Sequence, residues 1–243
     1  MPKFFVTQDK ISDNQIIIDS EDVTHISRVL RLEKGDNVTV CDGQGTDYDA
    51  QIDTIEPKKI LLNIISRQKS ETEPNIKVTL FQALPKASKM EYIIQKTTEL
   101  GISEIVPVKL SRCVVKIDNK KDEKKKIDRW QKIAESAAKQ SGRGIVPTVS
   151  EFMTVNEVIE KSKEFDLFFV PYECEEQKTL KEILTSKSDV KSVGFVIGPE
   201  GGETEKLHSS GIDTVTLGKR ILRTETAGEA VLAMTMYEIG DIN

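Results

Sequence analysis

Two loops near the C-terminus combine residue types that can hold a ligand. The first, residues 198–203, reads GPEGGE and follows the apolar run SVGFVI. The second, residues 217–226, reads LGKRILRTET and sets Ile221 and Leu222 between two arginines. Glycine lets a backbone come close to a ligand, and apolar side chains in a polar loop can pack against an aromatic base. Each loop is a candidate ligand-binding loop, although each also fits an ordinary turn that leads into a helix cap.

The charge of the first loop argues against a phosphate ligand. A dinucleotide fingerprint needs GxGxxG and a P-loop needs GxxxxGK[ST], and residues 198–203 match neither pattern. A phosphate site also needs positive potential, which Glu200 and Glu203 oppose. We therefore expect a neutral or cationic ligand with an adenosine-like part that is read by backbone groups.

The elements around these loops predict a parallel sheet. From residue 76 onwards, strand-like apolar runs alternate with helical patterns, which is typical of an α/β domain. Ligands of such sheets bind beyond the carboxyl ends of the strands, and this rule groups both loops with the segment Pro171-Tyr172-Glu173, at the end of the run FDLFFVPYE. The predicted helices are 87–100, 125–140, 154–162, 179–186, 204–210 and 224–239, and the predicted strands are 76–84, 104–110, 165–171, 192–197 and 213–217.

The first 70 residues have a different rhythm. They predict a small β-barrel with one helix at 21–32 and with turns rich in Gly, Asp and Asn. The polar stretch RQKSETEPN, residues 67–75, is expected to link two domains at 1–70 and 74–243. The predicted strands of the barrel are 4–6, 15–18, 37–41, 48–55 and 60–66.

Composition excludes several classes of protein. Of the 243 residues, 31% are charged, and the net charge is −5. No apolar run approaches the roughly 18 residues of a membrane span, and MPKFFVTQDK lacks the apolar core of a signal peptide, so we expect a cytoplasmic protein. The three cysteines are far apart and fit neither a disulfide framework nor a metal site.

Positive charge is concentrated in one segment. Residues 109–143 contain 12 Lys and Arg against 5 Asp and Glu. This surplus matches the electrostatic footprint that a phosphate backbone prefers. It also fits a helix face that is simply solvated.

Together these motifs resemble a known family. VIGPEGG followed by LGKRILRTETA closely resembles the 16S ribosomal RNA uridine N3-methyltransferases of the SPOUT, or α/β-knot, superfamily. KMEYIIQKTTELG, SRCVVK, RWQKIAESAAKQSGR and Pro147 match that family in order and spacing. HISRVLRLEKGD and CDGQG are similar to its PUA-like RNA-binding barrel. The resemblance covers nearly the whole chain.

The resemblance implies a fold, a cofactor and partners. It implies an α/β domain with a parallel sheet and a C-terminal trefoil knot, a PUA-like β-barrel before it, and a homodimer. The implied substrate is 16S rRNA of the small subunit, with no metal or membrane. The implied cofactor is S-adenosylmethionine (SAM), whose sulfonium cation and lack of phosphate suit the first loop. We expect cofactor contacts from Pro171, Ile197, Gly198, Pro199, Glu200, Gly201, Gly202, Leu217, Gly218, Ile221, Leu222, Thr224, Thr226 and Ala227.

Methylation of uracil N3 requires the loss of a proton, because the protonated nitrogen is a poor nucleophile. We expect Arg223 to hold RNA phosphate or to stabilise the uracil anion. Glu225 is expected to accept a hydrogen bond from SAM or the base, or to pair with Arg223. His25 and His208 are expected to have structural or surface roles. The residues expected to contact RNA are Arg28, Arg31, Lys89, Lys96, Arg112, Lys116 and Arg143.

Two alternatives stay open at this point. The chain could be another SPOUT enzyme that modifies a different RNA nucleotide, or a ribosome-assembly factor that has lost catalysis. Gly228 and Glu229 depart from the small apolar residues that usually continue the last helix in the family. A helical Gly costs roughly 1 kcal/mol relative to Ala, so this departure bears on the helix start and on dimer packing.

Overall fold

The structure is a computed structural model that describes residues 3–86, 89–109, 119–198 and 204–240. The chain forms two compact units. The first comprises Met1–Glu73 with Ala138–Val146, and the second comprises Pro74–Ala137 with Pro147–Asn243. The predicted domains differ from these units because the sequence pattern placed residues 138–146 in the second domain.

The first unit is built on a mostly antiparallel sheet of five strands in the order β1-β3-β4-β5-β2. β1 pairs in parallel with β3, and the other pairs are antiparallel. Alternate residues of these strands, such as Val38, Val40, Ala50 and Ile52, are buried in one core. The strands are β1 (Lys3–Phe5), β2 (Gln15–Ile18), β3 (Asn37–Cys41), β4 (Thr46–Glu56) and β5 (Lys59–Lys69).

The predicted helix at 21–32 is shorter and irregular. It consists of α1 (Asp22–Thr24) and a π-helical turn, His25–Val29. Arg31 then adopts a left-handed conformation with φ of 53°, which costs an ordinary side chain energy. The predicted linker at 67–75 is also shorter, since β5 continues to Lys69.

A buried ion pair holds residues 138–146 in the first unit. The Arg143 guanidinium donates to Glu73 Oε2 at 2.6 Å, and Arg143 is only 4% exposed. Glu73 Oε1 also accepts from the backbone N–H groups of Gly144 at 2.8 Å and Ile145 at 3.0 Å. A single carboxylate therefore fixes this segment of backbone, and Arg143 is buried and not exposed to solvent.

The described part of the second unit contains a parallel sheet of seven strands in the order β12-β10-β11-β6-β7-β8, with β9 pairing β7. This confirms the predicted α/β fold class. The trefoil knot stays a prediction, because the connection at 199–203 lies outside the described residues. The strands are β6 (Lys77–Ala83), β7 (Glu104–Lys109), β8 (Thr148–Val149), β9 (Met153–Thr154), β10 (Leu167–Pro171), β11 (Ser192–Ile197) and β12 (Asp213–Val215).

Helices cover both faces of this sheet. Leu80 of β6 faces a core with α2, α3, α5 and α7, and the next residue, Phe81, faces a second core with α4 and α6. Trp130 of α3 is 6% exposed and packs in the first of these cores. The helices are α2 (Lys89–Glu99), α3 (Lys120–Ser141), α4 (Val155–Ser162), α5 (Leu180–Leu184), α6 (Thr204–Ser209) and α7 (Thr224–Ile239).

Local sequence signals explain the starts of three helices, α3, α4 and α5. The capping boxes predicted at Thr154 and Thr179 are both formed, each with the Glu three residues later. α3 begins five residues before the predicted start. Asn119 accounts for this difference, because its side chain accepts a hydrogen bond from the N–H of Asp122 at 2.9 Å.

Gly228 lies in the buried face of α7, where the structure leaves room for a larger residue. A Cβ at this position would meet Gln82 Oε1 at 3.7 Å and Ile197 Cγ1 at 3.9 Å, which are ordinary contacts. Gly228→Ala is therefore expected to raise the free energy of unfolding by about 1 kcal/mol, through the higher helix propensity of Ala. Urea denaturation of the full chain measures this change.

Gly101→Ala is the matched control for that substitution. Gly101 has φ of +95°, and a Cβ there would lie 2.8 Å from Pro74 Cγ. This variant is expected to be destabilised, since the new side chain meets both backbone strain and a clash. A loss of stability in Gly228→Ala would contradict the account of the α7 packing.

Candidate active site

The carboxyl ends of neighbouring parallel strands frame a pocket in the second unit. β10 pairs in parallel with both β11 and β12, so the three strands end at the same edge of the sheet. The walls come from residues at the ends of β10 and β11, from the loop after β12, and from the starts of α6 and α7. Of the three predicted segments, Pro171, Gly198 and residues of the 217–224 stretch therefore meet at one pocket, and residues 199–203 lie outside the described residues.

Many of the predicted cofactor residues meet in this pocket. Thr226 does not line it, but lies in a neighbouring depression with Lys89 and Glu229. Pro199, Glu200, Gly201 and Gly202 lie outside the described residues. The cofactor roles of these residues stay a prediction. The structure adds that many of them lie at one pocket. The predicted residues that line the pocket are Pro171, Ile197, Gly198, Leu217, Gly218, Ile221, Leu222, Thr224 and Ala227.

Four further residues line the pocket: Tyr172, Glu173, Thr204 and Arg220. None of them is among the predicted cofactor residues, although Tyr172 and Glu173 belong to the predicted strand-end segment and Arg220 to the second predicted loop. The first two directly follow Pro171 at the end of β10, and Arg220 directly precedes Ile221. The position of Tyr172 and Glu173 at a strand end, and of Arg220 in the 217–226 loop, is the sequence feature that links them to the pocket. Thr204 is the first residue of α6 and is 8% exposed.

The lining combines apolar walls with a small number of polar groups. Ile197, Leu222 and Ala227 supply apolar surface, and the hydroxyl-bearing residues Thr204 and Thr224 also line the pocket. Such walls suit a flat heterocycle that is oriented by a few hydrogen bonds. The carboxylate of Glu173, at the same pocket, adds an attraction for a cationic group.

Thr224 is tied to the sheet by a buried amide. Gln82, at the end of β6, is fully buried, and its Nε2 donates to Thr224 Oγ1 at 2.9 Å. The two residues are 142 positions apart in the chain. No local pattern pointed to Gln82, which sits inside the apolar run IKVTLFQAL.

The loop after β10 is ordered by Glu175. Its carboxylate accepts from the Thr214 hydroxyl at 2.6 Å and from the backbone N–H groups of Gln177 at 2.8 Å and Lys178 at 3.2 Å. The Thr214 hydroxyl, followed by these N–H groups, lowers the pKa of Glu175 to about 2. The loop that carries Tyr172 and Glu173 to the pocket is therefore anchored on β12.

Glu175→Gln is expected to make the protein less stable near neutral pH, by an amount that shrinks in acid. The folded-state pKa of about 2 lies below the ordinary value of 4.5, so the ionised carboxylate stabilises the fold above pH 4.5. That contribution is lost as the pH falls from 4.5 towards 2. Urea denaturation of both proteins from pH 7 to pH 3 measures the difference, and a difference that is constant with pH would contradict this role.

The two predicted catalytic residues, Arg223 and Glu225, do not form an ion pair with each other in the structure. Glu225 Oε2 lies 3.0 Å from Lys89 Nζ on α2, so its ion-pair partner is Lys89 and not Arg223. A hydrogen bond from its own backbone N–H, together with Lys89, lowers the pKa of Glu225, which makes it a weak proton acceptor at neutral pH. Arg223 is exposed at the N-cap of α7, next to the pocket residues Leu222 and Thr224.

Tyr172 is a neutral group that lines the pocket. Its side-chain hydrogen bond with Cys174, together with partial burial, raises the pKa of Tyr172 to about 12. The phenol therefore remains protonated under physiological conditions. It can donate or accept a hydrogen bond, but it is not poised to remove a proton from a substrate.

Comparison with known proteins identifies the family. The model of an RNA methyltransferase domain matches residues 72–236, and the model of an RNA methyltransferase PUA domain matches residues 18–65. The chain belongs to the RNA methyltransferase family. Its first unit contains the PUA match and the antiparallel sheet, as the family resemblance implied.

Close relatives match over nearly their whole length. Ribosomal RNA small subunit methyltransferase E of Bacillus subtilis (strain 168) is 35% identical, over 98% of this chain and 97% of that protein. The structure of ribosomal RNA small subunit methyltransferase E from Neisseria gonorrhoeae bound to S-adenosylmethionine is 30% identical, with a TM-score of 0.85 and full coverage of both chains. A putative methyltransferase from Legionella pneumophila, in complex with SAM, is 28% identical, with a TM-score of 0.83 and 99% coverage of each chain.

The predicted RNA-binding residues of this RNA methyltransferase occupy different environments. Arg28 and Arg31 are exposed on the first unit. Lys96 pairs with Glu99 at 2.9 Å, Lys89 pairs with Glu225, and Arg143 is buried against Glu73, as described above. Arg112 and Lys116 lie outside the described residues. Contact with RNA stays a prediction for the set, and the exposed arginines are the members best placed for it.

The long helix α3 carries most of the basic segment. Ile127, Trp130, Ile133 and Ala134 face the core. Lysines at positions 120, 121, 124, 125 and 132 are exposed. The helix thus presents one basic side to solvent. This arrangement fits both alternatives from the sequence, a contact with RNA and a face that is simply solvated. His25 and His208 are exposed as well, in agreement with the surface role expected of them.

Neither a metal centre nor a membrane helix is found in the parts of the chain that the structure describes. Within those parts, His, Cys, Asp and Glu side chains form no group of three or more that could hold a metal ion. None of the helices in residues 3–86, 89–109, 119–198 and 204–240 is long and apolar enough to cross a membrane.

Proposed function

We propose that this protein transfers a methyl group from SAM to N3 of a specific uridine in the 16S rRNA of the small ribosomal subunit. The observation that carries the proposal is the pocket at the ends of β10, β11 and β12, in a chain that is 35% identical to ribosomal RNA small subunit methyltransferase E of Bacillus subtilis. The related protein from Neisseria gonorrhoeae was solved with SAM bound. The implied site of action is the cytoplasm, where ribosomal subunits are assembled.

The residues of the pocket fit SAM better than they fit a nucleotide phosphate. Ile197, Leu222 and Ala227 would hold the adenine, and the Glu173 carboxylate would lie near the cationic part of the ligand. The hydroxyls of Thr204 and Thr224 would supply hydrogen bonds. When bound, SAM would supply a methyl group activated by its sulfonium sulfur.

Arg223 is the residue best placed to act on the RNA. It is exposed at the start of α7 and is not among the ion pairs formed by the described residues. Its guanidinium would stabilise the negative charge that develops on the uracil when N3 loses its proton. Glu225 lies in the first turn of α7, close to Arg223 in the sequence. It would hold Lys89 of α2 in place, since the two form an ion pair.

The proposed enzyme works as a homodimer. Three large side chains on α2 and α7 are exposed, namely Tyr92 at 47%, Met234 at 41% and Tyr237 at 70%. Exposed aromatic residues and Met on packed helices are typical of an interface. A second copy of the chain on this surface would cover them, and the mass of the protein in solution tests that assembly.

Binding of SAM by calorimetry is the first test of the proposal. A methyltransferase binds SAM with a measurable heat, whereas an assembly factor without a cofactor site shows none. Absence of binding at millimolar SAM would overturn the proposed function. Binding of SAM without transfer to any RNA would overturn the substrate part alone.

RNA binding is expected to depend steeply on salt, with Arg28 and Arg31 contributing. Arg28→Gln combined with Arg31→Asn should lower the slope of log K against log salt by about 1.5, because each phosphate contact releases roughly 0.7 to 0.9 of a counterion. Asn at position 31 tolerates the left-handed backbone. The control is Lys58→Gln with Lys69→Gln, which removes two exposed charges from the same unit. An equal slope in both double variants would contradict the assignment.

A further inference from the structure

Gln82 is a buried polar residue in an otherwise apolar setting. It is fully buried at the carboxyl end of β6, and its neighbours across the sheet are Ile197 and Pro107. A buried amide without hydrogen bonds would cost stability. Gln82 contacts Thr224, the first residue of α7. Its amide is therefore stabilised by hydrogen bonds at this point of the fold.

The contacts of Gln82 fix the orientation of its amide. Nε2 lies 2.9 Å from the carbonyl oxygen of Ala83 and 2.9 Å from Thr224 Oγ1. A carbonyl oxygen can only accept, so the atom facing Ala83 must be the NH₂ group. The second N–H of that group then points at Thr224 and makes the threonine hydroxyl an acceptor on this side.

The polarity of Thr224 follows from that arrangement. A hydroxyl has one proton to donate, and the Thr224 oxygen already accepts from Gln82. Among the described residues, the Thr224 hydroxyl has no acceptor for its own proton. Thr224 lines the pocket between the apolar residues Ile197, Leu222 and Ala227.

We propose that Gln82 is a positioning residue that directs the Thr224 hydroxyl proton into the pocket, where it donates to an acceptor atom of the bound adenosyl group. This inference rests on the proposed binding of SAM. The pocket would then prefer a ligand with a hydrogen-bond acceptor at this point. A ligand with a donor there would place its own proton against the hydroxyl proton of Thr224. Gln82 itself does not touch the ligand and acts only through Thr224.

The test is a double-mutant cycle on the full-length protein, with S-adenosylhomocysteine as the probe and calorimetry as the readout. Gln82→Met removes the amide at similar size, and Thr224→Val removes the hydroxyl. Each is expected to weaken binding about three- to tenfold, the range for one neutral hydrogen bond. The combined variant is expected to bind no more weakly than Thr224→Val alone, since Gln82 has nothing left to orient. Thr224→Ser is expected to bind like the wild type.

Each outcome bears on the inference. Thermal unfolding of the ligand-free variants confirms that they are folded, and Gln82→Asn, whose shorter amide cannot reach Thr224, replaces Gln82→Met if the latter does not fold. A loss of affinity on Gln82→Met that persists in the Thr224→Val background would overturn the inference, because Gln82 would then support the pocket in general. Unchanged affinity in Gln82→Met would overturn it as well. If the wild type binds neither SAM nor the probe, the proposed function itself fails, and that result is distinct from both.

Discussion

Glu73→Gln is expected to lower the free energy of unfolding by about 3 kcal/mol or more. The variant leaves the buried residue Arg143, which is 4% exposed, without the Glu73 carboxylate. Removal of one partner from a buried ion pair costs roughly 3–5 kcal/mol, because the remaining charge is desolvated and has lost its carboxylate partner. The amide of Gln can still accept from Gly144 and Ile145, so this substitution isolates the charge.

Urea denaturation of the full chain measures this loss, with Glu71→Gln as the control. Glu71 is exposed and two residues away, and its neutralisation is expected to change stability by less than about 0.5 kcal/mol. Combining Glu73→Gln with Arg143→Met is expected to restore part of the stability, since no buried charge remains. A Glu73→Gln variant as stable as the wild type would contradict the view that this pair holds residues 138–146 in the first unit.

Arg223→Ala is expected to lower turnover about 100-fold while weakening SAM binding less than about threefold. Loss of one charged group that stabilises a developing anion has an effect of this size on the rate. Arg223 does not line the pocket, so little of its contribution should appear in cofactor affinity. Methyl transfer to RNA from labelled SAM gives the rate, and calorimetry gives the affinity.

Lys219→Ala is the matched control for that experiment. Lys219 is an exposed cation of the same loop, and its loss should change turnover only slightly. Arg223→Lys is expected to recover a part of the rate, because a lysine keeps the charge but not the planar fork of donors. Unchanged turnover in Arg223→Ala would remove Arg223 from the reaction.

The pocket was predictable because its position follows from periodicity. Apolar runs that end at Pro171 and Ile197 mark parallel strands, and the ligand site of such a sheet lies beyond their carboxyl ends. Local patterns and one general rule on parallel sheets are therefore enough to locate the pocket. The same patterns gave the capping boxes at Thr154 and Thr179, since all of the interacting residues lie within one turn of helix.

Pairings over long sequence separations were not predictable in the same way. Lys89 and Glu225 are 136 positions apart, and Gln82 and Thr224 are 142 apart. Lys89 was predicted to contact RNA, and the fold gives it a carboxylate partner, Glu225. The side chains that meet across α2, β6 and α7 are determined by packing and not by any local spacing.

The count of basic and acidic residues also did not show which of the charged side chains are buried. Arg143 belongs to a segment with 12 basic and 5 acidic residues, and on that ground it was predicted to contact RNA. The structure buries it against Glu73, a residue from the stretch predicted to be a linker. An arginine can be buried when a carboxylate compensates its charge, and the sequence gives no sign of that distant partner.

The most direct test of the central claim is to incubate the wild-type protein with labelled SAM and unmethylated small ribosomal subunits, and then to map the modified nucleotide. The proposed function predicts a label on N3 of one uridine in the 16S rRNA. Transfer that depends on Arg223 would link the label to this site. A label on another atom or another nucleotide, or no label at all, would contradict the account.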